Sequence, residues 1–175
     1  MPVILEPTPE NIAHCAERLR RGLSVAFPTE TVYGLGCDAS SEAAVAEVYA
    51  MKARPHNNPL IAHVTDAAMA KKAVVGWDVR AQRLAEAFWP GPLAIILPRR
   101  AEICALSVGG RTSVAVRAPA HPVARALIEA FGRPVSAPSA NRSGRISPTS
   151  AAHVAEDFAS FPELPILDGG PCEVG

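Results

Sequence analysis

No Cys-x-x-Cys pair occurs in this chain, and its four cysteines, Cys15, Cys37, Cys104 and Cys172, lie far apart. Scattered thiols signal neither a zinc site nor a disulfide framework, and they suit a reducing compartment. Net charge is also absent. Seventeen Lys and Arg balance seventeen Asp and Glu, so no overall field draws the chain to nucleic acid or to a membrane surface. No apolar run approaches the ~20 residues of a membrane span. The opening residues, Met1-Pro2-Val3-Ile4-Leu5-Glu6-Pro7, lack the basic segment and long apolar core of a secretory signal. A cytoplasmic protein with no membrane partner is expected. There is no Walker-type loop and no Gly-x-Gly-x-x-Gly after a strand, so a nucleotide would have to be held by side chains. A nucleophile elbow and a His/Asp/Glu cluster with metal-ligand spacing are missing too, and no protein metal site is expected.

What is present is an apolar chain of 175 residues, 49% hydrophobic, long enough for one domain with a sizeable core. Short continuous apolar runs predict strands near 3–5, 23–27, 60–64, 93–97, 113–117, 135–137 and 164–167. Between them, capped periodic segments predict helices opening at Pro9, Glu42, Asp66, Val79, Pro122 and Thr149 or Ser150. Continuous rather than alternating strands imply a sheet covered on both faces. The irregular, proline-rich connections imply a mixed, twisted α/β sheet rather than a regular doubly wound one. The segment Phe27-Pro28-Thr29-Glu30-Thr31-Val32-Tyr33-Gly34-Leu35-Gly36-Cys37-Asp38 reads as a strand leaving the core, a polar loop and a return into a helix. Such loops gather where open α/β sheets bind ligands.

Four further places carry candidate chemistry. Lys52 and Arg54 lie one residue apart at a helix end; the helix dipole explains them, but they also offer the point charge and planar fork a polyphosphate needs. His63 lies in an apolar strand, where a satisfied core histidine is the commoner occupant. Arg117 ends another apolar strand and needs an anionic partner, either a structural carboxylate or a substrate carboxylate. The segment 139–147, rich in Ser, Asn and Arg, reads either as a surface loop or as a lid over phosphate and ribose. A cavity rich in hydroxyls and cations and poor in bases suits charge neutralisation at phosphorus better than covalent catalysis.

Six segments then occur in order: Pro28-Thr29-Glu30-Thr31-Val32-Tyr33-Gly34-Leu35, Lys52-x-Arg54-Pro55, Asn58-Pro59-Leu60-Ile61-x-His63, Trp89-Pro90-Gly91-Pro92-Leu93, Val114-Ala115-Val116-Arg117-x-Pro119, and Ala137-Pro138-Ser139-Ala140-Asn141-x-Ser143-Gly144. Together they closely resemble the YrdC-type threonylcarbamoyl-AMP synthase family over nearly the whole chain. The resemblance implies a YrdC-like α/β fold, a twisted mixed open sheet with helices on both faces around a large cavity. It implies a nucleotidyltransferase that joins L-threonine, bicarbonate and ATP, with Mg2+ carried on the ATP, into threonylcarbamoyl-AMP and pyrophosphate. The product serves threonylcarbamoyladenosine modification of tRNA, through a downstream threonylcarbamoyl transferase complex.

Carried across residue by residue, Thr31, His63, Arg117 and Ala137 contact threonine. Arg54, Asn58, Ser113, Ser139, Asn141 and Ser147 contact the nucleotide, and Lys52 and Arg54 are the catalytic cations at its phosphates. Weak binding of tRNA or double-stranded RNA is a further expectation. The final stretch from Asp168 to Gly175 resembles the approach to the family's glycine-then-Glu-Ser-Thr segment, which adds a strand and further ligand contacts and which is absent here. Longer members also carry a second, C-terminal domain, and this stretch resembles theirs. Residues 1–175 are thus expected to form a single domain ending short of the family's last strand. It should keep its fold, yet bind ATP and threonine less well than a chain extended through that strand. Two other readings stay open: an RNA-binding module of the same fold without synthase activity, and the related domain of hydrogenase-maturation carbamoyltransferases, whose acylphosphatase and zinc-finger segments have no counterpart in this sequence.

Overall fold

The structure is a computed structural model and describes residues 1–174; Gly175, where the expected short end falls, lies outside them. Among the described residues, eight strands are formed by Val3–Leu5 (β1), Val25–Phe27 (β2), Gly34–Asp38 (β3), Ile61–His63 (β4), Ile95–Pro98 (β5), Ser113–Arg117 (β6), Val135–Ala137 (β7) and Pro165–Leu167 (β8). They make one mixed sheet in the order β1-β8-β2-β3-β7-β4-β6-β5. Neighbours β1/β8, β8/β2 and β4/β6 run parallel, and the remaining pairs are antiparallel. Six helices cover it: Pro9–Arg20 (α1), Glu42–Lys52 (α2), Ala67–Ala73 (α3), Val79–Phe88 (α4), Pro122–Phe131 (α5) and Ala151–Asp157 (α6).

The two-residue period of a strand decides which helix covers which side. Ala26, Leu35, Cys37 and Ile166 point toward α2 and α6, where Val48, Tyr49, Val154 and Phe158 complete a buried cluster. Val25, Phe27, Val135 and Leu167 point the other way, onto Leu19 of α1 and Leu127 and Ile128 of α5. A third cluster joins α3 and α4 to β4, β5 and β6 through Ala70, Ala85, Ala62, Val116 and Ile95. Each fully buried Val, Leu, Ile or Phe side chain here contributes about 1.5–3 kcal/mol relative to an exposed one, and each alanine methyl less. The α/β sheet covered on both faces is therefore as expected from the unbroken apolar strands.

Helix starts follow the side-chain caps. Thr8, Ser41, Asp66, Asp78 and Ser150 each accept a backbone N–H of the first turn, at 2.8–3.4 Å. His121, which the sequence does not mark as a cap, serves α5 through Nδ1 and the Val123 N–H, ahead of Pro122. The largest departure lies after β2. The expected direct return from polar loop to helix is interrupted by β3, which is fully buried and pairs with both β2 and β7. Its glycines are poor strand formers, but Gly36 has no room for anything larger. A Cβ there would lie 2.7 Å from Phe27 Cε1 and 2.8 Å from Val135 Cγ1.

The chain beyond β8 folds back across the β2–β3 turn. The Tyr33 hydroxyl donates to the Gly170 carbonyl at 2.7 Å. The Cys172 N–H reaches the Thr149 carbonyl at 2.8 Å, and the Val174 N–H reaches that of Glu30 at 3.0 Å. β8 itself lies between β1 and β2, so both its edges are occupied.

Candidate active site

Side chains from five elements converge on a cavity of about 220 Å³. Thr29 and Val32 come from the turn after β2, and Arg54 from the loop after α2. Ile61 and His63 come from β4, Arg117 from the end of β6, and Ala137, Pro138 and Ser139 from the end of β7. Register explains the grouping, because β4 and β6 are parallel and His63 is paired directly with Arg117. A larger cleft of about 520 Å³ lies between Gly144–Pro148 and α6. It carries Ser147 but none of the buried charges, so the smaller cavity is the candidate site.

Arg117 dominates it. The guanidinium is almost completely buried, and its Nη2 donates to Glu30 Oε1 at 2.7 Å and to Thr31 Oγ1 at 3.0 Å. The other carboxylate oxygen of Glu30 accepts the Ala120 N–H at 3.0 Å. Burial works against the charge on Glu30. The bonds from Arg117 and Ala120 outweigh it and hold the carboxyl below its usual range. Arg117 Nε is buried and has no partner among the described residues, an unmet donor of the kind that a ligand or water ordinarily satisfies.

Beside Arg117 lies His63, edge-on to Phe27, with Nδ1 3.2 Å from the Ile61 carbonyl. Burial, reinforced by the positive charge of Arg117, pulls its pKa down to about 4. The ring is neutral at pH 7, and Nδ1–H donating to Ile61 leaves Nε2 as an acceptor. Thr29 fixes the turn that presents Glu30 and Thr31. Its Oγ1 donates to the Val32 carbonyl at 2.6 Å and accepts the N–H of Thr31 and of Val32 at 3.2 Å each.

The two cations of the Lys-x-Arg pair part company. Lys52 is the last residue of α2 and 1% exposed. Its ammonium donates to the carbonyls of Ser139 and Asn141, and it does not line the cavity. Burial, then the neighbouring Arg54 charge, lowers it to about 8, with Asp157 opposing. Ala53, between them, is in the left-handed region (φ 51°, ψ 44°), which turns the backbone so that Arg54 reaches the cavity. Arg54 also donates to the carbonyls of Asn58 at 3.1 Å and Pro59 at 3.0 Å.

Of the residues expected at the site, Arg54, His63, Arg117, Ala137 and Ser139 line one cavity, and Thr31 stands behind Arg117. The others lie elsewhere. Asn58 is exposed and contributes its carbonyl to Arg54 and Tyr49. Ser113 begins β6, four residues before Arg117 and opposite Pro98. Asn141 is buried, with its Nδ2 on the carbonyls of Arg142 and Arg145 at 2.9 Å each. Ser147 is exposed in the adjoining cleft. Sequence reasoning missed Glu30 and Thr29. Arg117's need for an anion was the available signal, but nothing local links it to a carboxylate 87 residues away.

A mixed sheet here carries a buried cation, a neutral histidine and a second cation around one small cavity at its strand ends, the place where open α/β sheets form ligand sites. The chain belongs to the Sua5, YciO and YrdC family, whose model, described as Telomere recombination, matches residues 17–175. It is 48% identical over 157 residues to the threonylcarbamoyl-AMP synthase of Pyrococcus abyssi, an alignment covering 90% of this chain and 46% of that protein. Against the threonylcarbamoyl-AMP synthase of Bacillus subtilis it is 46% identical, over 94% of this chain and 47% of the relative. The crystal structure of P. abyssi Sua5 complexed with L-threonine superposes with a TM-score of 0.93 at 45% identity, covering all of this chain and 51% of that one. The chain thus spans about half the length of these relatives.

Proposed function

We propose that this chain is the catalytic domain of an L-threonylcarbamoyladenylate synthase, a nucleotidyltransferase acting on L-threonine, bicarbonate and Mg2+-bound ATP. The observation that carries the reading is Arg117, a buried guanidinium with an unpartnered Nε beside a neutral histidine. An amino acid offers that place a carboxylate for the guanidinium and a hydroxyl or amine for the acceptor nitrogen of His63. The names of its relatives and the threonine complex of P. abyssi Sua5 support the same reading.

Threonine is held by Arg117 and His63, with Thr31 steadying the guanidinium and the backbone at Ala137 flanking the ligand. Its amine, left free, takes up the one-carbon unit of bicarbonate with loss of water to give a carbamate. A carbamate oxygen then attacks the α-phosphorus of ATP, the bond to the β-phosphate oxygen breaks, and pyrophosphate leaves. Arg54 is the cation placed to neutralise that charge, together with the magnesium that ATP carries in. Ser139 lines the same wall; Asn58, Ser113, Asn141 and Ser147, which lie outside that wall, remain nucleotide contacts on the strength of the family resemblance alone. No strong protein base is required once the carbamate exists. The product would pass, in the cytoplasm, to a threonylcarbamoyl transferase that modifies tRNA. Pyrophosphate release from ATP should depend on both threonine and bicarbonate; equal release with threonine omitted overturns the assignment.

A further inference from the structure

We infer that Lys52 is a positioning residue, whose ammonium ties the 139–145 loop to the end of α2 and so sets the cavity wall that faces the nucleotide. The consequence for ATP rests on the synthase reading, whereas the geometry stands by itself.

Three contacts join this one residue to a loop some ninety positions away. The ammonium donates to the carbonyls of Ser139 and Asn141, and the Lys52 carbonyl accepts the Ser143 N–H at 2.8 Å. A trans peptide points its C=O and the following N–H in opposite directions. Each carbonyl drawn onto Lys52 therefore sends an N–H outward, and both are met. The Ala140 N–H lies 2.7 Å from the Tyr33 carbonyl, and the Arg142 N–H lies 2.9 Å from Asp157 Oδ2. Two peptides are thus gripped at both ends, one of them between a cation and a carboxylate, an arrangement in which each bond polarises the next. Asp157 also takes Arg145 Nη1 at 2.7 Å, holding the far end of the same loop.

An ammonium so enclosed has no face turned to the cavity. Its neighbour Arg54, redirected by the left-handed Ala53, does line it. The pair therefore divides its work: Arg54 meets the ligand, and Lys52 holds the wall against which Ser139 is presented.

Lys52→Met and Arg54→Met in the full chain separate the two roles, with amide hydrogen exchange of the ligand-free protein and Mg-ATP and threonine titrations as readouts. Lys52→Met should speed exchange at Arg142 and Ser143 about tenfold or more while α5 keeps its rates, since the loop loses its buried charged donor. The KM for ATP should rise about tenfold, with kcat at saturation and threonine affinity nearly retained. Arg54→Met should weaken ATP without changing loop exchange. Unchanged exchange in Lys52→Met, accompanied by lost ATP binding, would place Lys52 on the phosphates and overturn the inference. If Lys52→Met fails to fold, Asp157→Asn loosens the Arg142 peptide from its other end. Faster exchange there with weaker ATP binding supports the inference, and unchanged exchange sinks it. Should the unaltered chain bind neither ATP nor threonine, the synthase reading fails while the loop measurement still decides the role of Lys52.

Discussion

Arg117 and Lys52 are both cations buried at the site, and they are made tolerable there by different means. Arg117 faces a carboxylate and a hydroxyl, Glu30 and Thr31, and keeps one donor unmet. Lys52 faces only backbone carbonyls, and those carbonyls belong to the loop it holds. A cation balanced by side chains can take another partner with small rearrangement. A cation balanced by peptide groups is part of the scaffold, since a change of partner there moves the chain. Burial of charge therefore marks two kinds of residue, and the partner tells them apart.

Removing the cation breaks this contrast most severely. Arg117→Ala should cost about 1.5–3 kcal/mol of threonine affinity, roughly ten- to a hundredfold, with ATP affinity unchanged in calorimetry. It should also destabilise the fold by up to about 3 kcal/mol in urea, because Glu30 is left largely enclosed without its counter-charge. Adding Glu30→Gln should return most of that stability and none of the threonine affinity. If affinity came back with stability, Arg117 would be a structural cation like Lys52.

The next effect concerns His63, which the burial around Arg117 keeps neutral. Its folded-state pKa of about 4 lies below the ordinary 6.5. Between those values the unfolded chain binds a proton that the folded one refuses. The stability this histidine allows is complete above pH 6.5 and is lost as the pH falls toward 4, amounting to about 3 kcal/mol. His63→Gln should remove that acid-dependent loss, seen as a smaller fall in the urea midpoint between pH 7 and pH 4. An equal fall in both proteins would mean that the ring charges freely and does not share the Arg117 environment.

Thr31→Val is the mildest probe. It deletes the hydroxyl acceptor of Arg117 while leaving Glu30 in place, and should weaken threonine by about 1.5 kcal/mol, close to tenfold. No change would assign the orientation of the guanidinium to Glu30 alone.

How far the sequence shows all this depends on the range of the determining contact. β1, β6 and β7 fall where their apolar runs place them, and the caps at Thr8, Ser41 and Asp78 mark helix starts through hydrogen bonds two or three residues long. β3 is illegible because Gly34 and Gly36 read as turn residues. The reason for Gly36, the pressure of Phe27 and Val135, exists only once the sheet has formed. At the site, the ordered motifs name the residues but not their directions. Lys52 and Arg54 read as one phosphate-binding pair until Ala53 turns between them. Asn58, Ser113 and Ser147 lie near the site in sequence pattern, yet outside the cavity wall. The pairing of Arg117 with Glu30 crosses the sheet and leaves no periodic trace.

The position of β8 has a consequence in time. β1 and β2 do not pair with each other; the residues that join them, Pro165 to Leu167, are made after the other seven strands of this sheet. At the usual 5–20 residues per second, a ribosome spends on the order of ten seconds between finishing β2 and supplying β8. Within that interval β4, β6 and β5 can pair first, and β7, made after them, then links them to the β2–β3 pair, while β1 and one edge of β2 wait with their backbone groups open to other chains. β8 thus acts as the keystone of this sheet, and β1 and β2 stay exposed to wrong partners until it is set.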